Sequence, residues 1–166
     1  MTISAKHILG PALLGLCAAV LGLSFVHPWG NLRSAAAATT ESFGAPGDVR
    51  QLMVRSCGDC HSDRTRWPLY SHVAPASWLV ERDVNLGREH MNLSRWSLYT
   101  IEERVDLLSK ISTQLRLRQM PLKQYLLLHP EARLSDSERK LIIDWAKSER
   151  RRLNSQGKET TANDRH

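Results

Sequence analysis

Three side chains stand close enough along the chain to do chemistry together: Cys57, Cys60 and His61, in the run Cys57-Gly58-Asp59-Cys60-His61. Two thiols two residues apart, followed at once by an imidazole, suit three chemistries. In the first, both sulfurs form thioethers with the vinyl groups of a haem, and the imidazole turns beneath the ring to the iron. The second is a redox-active dithiol, which wants the pair at the start of a helix that follows a strand. The third is a zinc site, which needs two further ligands. Here a helical pattern precedes Cys57, no second cysteine pair exists, and only scattered histidines remain to complete a zinc site. One covalent haem c, with His61 as the proximal iron ligand, is the reading that uses all three side chains.

An iron held by His61 has a sixth position, and its occupant largely sets the redox behaviour. Met91 and Met120 are the thioethers downstream of the motif. Met120 is better placed, because it follows a strongly patterned helix and is stiffened by Pro121, so a loop can hold it over the ring. The rivals for this position are His72, His90 and His129. Haem propionates on a partly buried ring need donors, and Arg64, Arg66, Trp78 and Trp96 are the candidates. The second ring nitrogen of His61 needs an acceptor, expected among the backbone carbonyls of residues 61–75, with Pro68 favoured.

The elements that must carry these groups read as helices. Val49, Leu52 and Met53 recur at helical spacing and lead into Cys57, predicting a short helix that ends at the cysteine pair. Residues 61–74 read as a loop. Pro75 suits the first turn of a helix ending at Gly87, with Trp78, Leu79 and Val84 inward. Thr100 and Glu103 form a capping box ahead of an apolar stripe of Ile101, Val105, Leu108, Ile111 and Leu115, predicting a helix to about Arg118, stopped by Pro121. A second box, Ser135 to Glu138, opens a final helix with Leu141, Ile142 and Trp145 inward, closed by Arg150, Arg151 and Arg152. No segment alternates as a strand does. The expectation is an all-α, cytochrome c-like bundle of four to five short helices around one haem, preceded by a hydrophobic N-terminal helix.

The chain has 166 residues, enough for one domain with a leader and a tail. Residues 1–30 read as a signal-anchor or signal peptide, 31–48 as a linker, 49–153 as the haem domain and 154–166 as a disordered tail. Lys6 and His7 precede an uncharged apolar run over 8–26, the pattern of an export signal. The small-residue site Ala35-Ala36-Ala37 lies far beyond that run, which favours an uncleaved anchor over a cleaved signal. Either way the domain is placed in the periplasm or outside the cytoplasm, and the anchored reading ties it to the inner membrane. Cys17 lies in the leader, so the domain holds one cysteine pair. The net charge of +6 comes from bases interspersed with acids, which does not support nucleic-acid binding. A mildly basic face suits a redox protein partner.

From the motif onward, SCGDCHSDRTRWPLYSHVAPASWLVERDVNLGREHMNLSRW and QMPLKQYLLLHPEARLSDSERKLIIDWA resemble the bacterial haem-binding domain family of small single-haem c-type cytochromes. The strings Pro68-Leu69-Tyr70-Ser71, Ala74-Pro75-x-Ser77-Trp78 and Asn92-Leu93-Ser94-x-Trp96 carry the specific part of the likeness. Met120-Pro121 resembles the ligand loop of cytochromes c, with Leu122 where a second proline is common. The resemblance implies covalent haem and a periplasmic location but no particular reaction. A haem with both axial positions filled passes electrons at its edge, and no catalytic base stands beside an open site. The chain therefore reads as an electron carrier, not an enzyme. The alternatives are a haem-based enzyme or a gas or redox sensor with a displaceable sixth ligand, or a haem-bearing subunit of a membrane complex. On a denaturing gel stained for haem, the protein is expected to give a band at its own mass. The double change Cys57→Ser with Cys60→Ser should abolish it, and haem fully extractable from the denatured wild type would refute covalent attachment.

Overall fold

Six α-helices and three short 3₁₀ turns make up the fold that a computed structural model gives for residues 5–30 and 43–163. No strand occurs among these described residues, so the all-α expectation holds. The helices are α1 (Ala5–Leu23), α2 (Gly47–His61), α3 (Ala76–His90), α4 (Ile101–Arg116), α5 (Lys123–Leu128) and α6 (Asp136–Asn163). The 3₁₀ turns are Leu69–His72, Leu93–Leu98 and Pro130–Ala132.

Both capping boxes form. Thr100 Oγ1 accepts from the Glu103 N–H at 3.2 Å, while Glu103 accepts from the Thr100 N–H at 2.8 Å. Ser135 and Glu138 repeat the exchange at 3.2 and 2.8 Å. With their first turns fixed in this way, α4 and α6 form the most extensive helix pair of the molecule, and α2 packs across α3 and α6. Val49 and Met53 of α2 meet Leu107, Leu108, Ile111 and Leu115 of α4 and Ile142, Ile143, Trp145 and Ala146 of α6 in one core. Burying each large aliphatic side chain there contributes about 1.5–3 kcal/mol. Of the residues expected inward, Leu141 and Leu79 are instead exposed, and Ile143 and Leu107 fill the core.

Several boundaries differ from those expected. The expected linker over 31–48 lies partly outside the described residues, and its last part belongs to the domain: Phe43 and Ala45 are buried. Phe43 meets Trp96 and Trp145 edge-on, at centroid separations of 6.4 and 6.0 Å. The expected tail over 154–166 is helical as far as Asn163, and Leu153 is still buried on the core. The helix α2 ends where expected, taking in the cysteine pair and closing at His61, whereas α3 passes Gly87 to reach His90.

The leader also departs from expectation. α1 stops at Leu23, and residues 24–27 turn onto the domain. There Ser24 Oγ accepts from the Ala74 N–H at 3.0 Å, the Val26 carbonyl accepts from Trp78 Nε1 at 2.9 Å, and His27 Nδ1 meets buried Glu81 at 2.7 Å. The apolar stretch thus keeps residues 8–23 in helix, about 24 Å of rise, against a hydrocarbon core of about 30 Å. Among the described residues no helix is long and apolar enough to cross a membrane. The anchor read over 8–26 gains no support from this helix. Because His27 reaches a carboxylate that is 1% exposed, His27→Ala should cost about 1–3 kcal/mol of stability, read as a lower denaturant midpoint with unchanged slope.

Candidate functional site

The motif sits on the last turn of α2, where Cys57 and Cys60 are half-buried, and α3 lies directly against it. Gly87 makes that approach possible. A Cβ built there would stand 2.5 Å from the Cys60 carbonyl oxygen and 2.9 Å from its carbon, so only glycine fits. The sequence suggested a helix terminator at this position; its role is the contact between the two helices.

Close packing carries the end of α3 to His61. The ring Nδ1 lies 3.1 Å from the Met91 carbonyl oxygen, so it donates there and leaves Nε2 with its lone pair. The acceptor is a backbone carbonyl, as anticipated, but it comes from the end of α3 and not from Pro68 or the loop after the motif. Burial lowers the His61 pKa, opposed by its bonds to the Met91 and Gly87 carbonyls and assisted by the nearby charge of His90. A neutral imidazole is the form that ligates a metal.

Burial pushes both thiols up, from an ordinary 9.0 to about 12; for Cys60 the charges of Asp83 and Asp59 add to it. A catalytic dithiol requires the opposite shift. The environment therefore counts against dithiol exchange, and among the described residues no group of His, Cys, Asp and Glu could hold a metal ion by itself.

A cavity of about 590 Å³ opens beside the motif. Cys57, Cys60 and His61 contribute to its walls, and Met120 enters from the loop between α4 and α5. The volume is within the range of about 300–1,000 Å³ typical of cofactor pockets. Apolar Met53, Leu86, Leu107, Ile111, Leu115 and Ile142 line much of the remainder. The Ser56 hydroxyl is buried at this wall with no protein partner. Sulfur, imidazole and thioether on the walls of one apolar cavity fit a haem.

The Met120 loop is set by how α4 ends. Pro121 was expected to stop that helix, but it stops earlier, at Arg116. Gln119 N bonds to the Gln114 carbonyl and Arg118 N to that of Leu115, with Arg118 left-handed at φ 54°. This is a Schellman turn with arginine at the position that usually holds glycine. Arg139 of α6 then donates to the carbonyls of Leu115 and Met120, at 3.3 and 3.5 Å.

The other named residues are distributed unevenly. His90 lines the cavity at the end of α3. His72 is exposed and off its walls, and His129 is engaged elsewhere, bonded to the Tyr70 hydroxyl at 2.7 Å and to Glu131 at 3.1 Å. None of Arg64, Arg66, Trp78 and Trp96 reaches the cavity walls. Trp96 is core, Trp78 bonds to the leader, Arg66 pairs with Asp59, and Arg64 is an exposed residue whose N–H bonds to Ser62. The basic and amide groups that do line the cavity are Arg82, Lys110, Gln114 and Gln124. They escaped the sequence reading because their positions on α3, α4 and α5 look like solvated helix faces.

Asp59, between the two cysteines, was also missed. It is 9% exposed and accepts from Arg66 N and Nε at 3.1 and 3.3 Å and from the Tyr125 hydroxyl at 2.7 Å. Burial, then the bond to Asp59 and its charge, push the Tyr125 phenol well above its ordinary value, so it stays a donor. Asp63, two residues past the histidine, similarly accepts from Asn92 Nδ2 at 2.8 Å and Arg95 Nε at 3.2 Å. These bonds fix the strand of chain leaving His61 to the segment that follows Met91.

With this geometry in view, the comparisons with known proteins decide the family. The family described as haem-binding domain matches residues 18–148. The chain belongs to the haem-binding domain family. Over 154 residues this haem-binding protein is 29% identical to the cytochrome c peroxidase Ccp of Escherichia coli (strain K12), covering 87% of this chain and 32% of that protein. The chain thus spans about a third of the length of this curated relative. No solved structure matches it. The relative is named as a peroxidase, an enzyme, and this similarity overturns the expectation that the chain is not an enzyme. Gly87→Ala should cost about 1–3 kcal/mol or more by forcing α2 and α3 apart. It should also lower the yield of attached haem, measured by denaturant midpoint and by haem stain per unit of protein.

Proposed function

We propose that this chain is an exported haem c domain that moves electrons in peroxidase-type redox chemistry, with one haem held through Cys57 and Cys60 and its iron ligated by His61 and Met120. The observation that carries this reading is the single apolar cavity lined by both thiols, the imidazole and the thioether. When bound, haem supplies a one-electron couple whose potential depends largely on its axial ligands. The chain's own residues do the rest. Burial keeps the thiols protonated and unreactive toward stray oxidants until they are used. The Met91 carbonyl holds one tautomer and one ring plane of His61. The soft sulfur of Met120 would favour a reduced iron, and the leucines and isoleucines that line the cavity would limit water.

Export is supported by the charged start and apolar run of the leader and by the haem motif, which together favour the periplasmic side of a membrane. The name of the peroxidase relative supports peroxide as the oxidant of the system in which the domain works, with a separate redox protein as its electron partner. For that chemistry Met120 would have to be an exchangeable ligand.

A visible and near-infrared spectrum of the purified oxidised protein tests the ligand set. The wild type should be low-spin with the charge-transfer band of sulfur on ferric iron. Met120→Ala should be high-spin, bind carbon monoxide stoichiometrically when reduced, and react faster with hydrogen peroxide. Absence of the band, with the low-spin spectrum lost on changing His90 instead, would overturn the Met120 assignment. A five-coordinate wild type would remove the closed electron-transfer site and leave an open haem enzyme.

A further inference from the structure

The short helix α5 contributes no fully buried residue, and its Leu127 and Leu128 are 79% and 62% exposed. Apolar burial therefore does little to hold it against the domain, although it begins three residues after Met120 and carries the far end of that loop. What joins it to the domain is mostly polar: Gln124 Nε2 donates to Asp83 Oδ2 of α3 at the long distance of 3.5 Å, at an exposed position, and the shorter bonds come from Tyr125. The Tyr125 hydroxyl donates to Asp59 Oδ2 at 2.7 Å, and the Tyr125 ring stacks on His129 at 4.3 Å with planes 17° apart. His129 in turn bonds to Tyr70 at 2.7 Å. Asp59 stands between the two cysteines, so this bond runs directly from the loop that bears the thioether to the helix turn that bears the thiols and His61. Arg66 holds the carboxylate from its other side. Tyr125 also lines both the large cavity and a smaller one of about 150 Å³ behind Cys60, so it forms part of the wall between them.

We propose that the Tyr125–Asp59 hydrogen bond is the tether that keeps the Met120 loop closed over the cavity, making Tyr125 a positioning residue for the sixth position. The inference rests on the haem ligation proposed above, and it goes further by assigning the control of that position to one bond outside the ligand set. Arg139 fixes the near end of the loop through backbone carbonyls, and Tyr125 fixes the far end. With the tether broken, α5 swings on the Arg139 end and the thioether is free to leave.

The test uses the full-length haem-loaded protein, with Tyr125→Phe, which keeps the ring and its stacking, and Leu127→Ala as an exposed control on the same helix. Amide hydrogen exchange over residues 119–128 should accelerate about tenfold or more in Tyr125→Phe and stay at the wild-type rate in Leu127→Ala. In parallel, the sulfur-to-iron band should weaken and cyanide should bind faster by a similar factor, with the covalent haem content unchanged. Exchange in Tyr125→Phe equal to wild type overturns the tether, whatever the ligand proves to be. Accelerated exchange in a protein whose wild type lacks the sulfur band upholds the tether and rejects Met120 as the ligand. Accelerated exchange with unchanged band and cyanide kinetics overturns the positioning role.

Discussion

The approach of α2 to α3 at Gly87 is the constraint on which the site depends. With a backbone carbonyl of one helix seated where a side chain of the other would be, the two axes have one separation and nearly one rotation. That geometry brings the Met91 carbonyl to His61, and the acceptor decides which ring nitrogen keeps its lone pair. The hydrogen bonds of Asp63 with Asn92 and Arg95 tie together the segments leaving both helices, which holds the Met91 carbonyl near the imidazole. A glycine contact thus reaches the tautomer of His61, at the end of α2, through a carbonyl four residues further along the chain.

The opposite wall is built on different principles. On the His61 side, helix packing and buried polar networks impose a single arrangement. On the Met120 side, the chain is an irregular loop shaped by a left-handed arginine, capped carbonyls and a half-exposed phenol. A wall of packed helices thus faces a wall made by an irregular loop, and the second depends on far fewer contacts than the first.

The sequence made the regular parts of this legible. Both capping boxes, the stripe on α4 and the CxxCH element could be read locally, because each depends on residues within one or two turns of each other. What could not be read depends on partners distant in sequence. Arg66 looked like a donor for an anionic cofactor, yet Asp59 seven residues earlier takes it. Trp96 looked available to a large ring, yet Phe43, in a stretch that reads as linker, packs edge-on against it. Gly87 looked like a stop, since a close interhelical contact leaves no periodic trace. The final helix was ended too early at its arginines, although Leu153 continues the core face beyond them.

The seating of residues 24–27 at the start of α3 changes what kind of segment they are. Ser24, Val26 and His27 exchange hydrogen bonds with Ala74, Trp78 and Glu81 in turn, so the end of the leader is fastened to the fold like a clasp. Glu81 is 1% exposed, and a carboxylate so deeply placed relies on hydrogen-bonding partners, of which the clasp supplies one only while it is shut. The four residues after α1 therefore belong to the stability of the domain as much as any residue of its helices do.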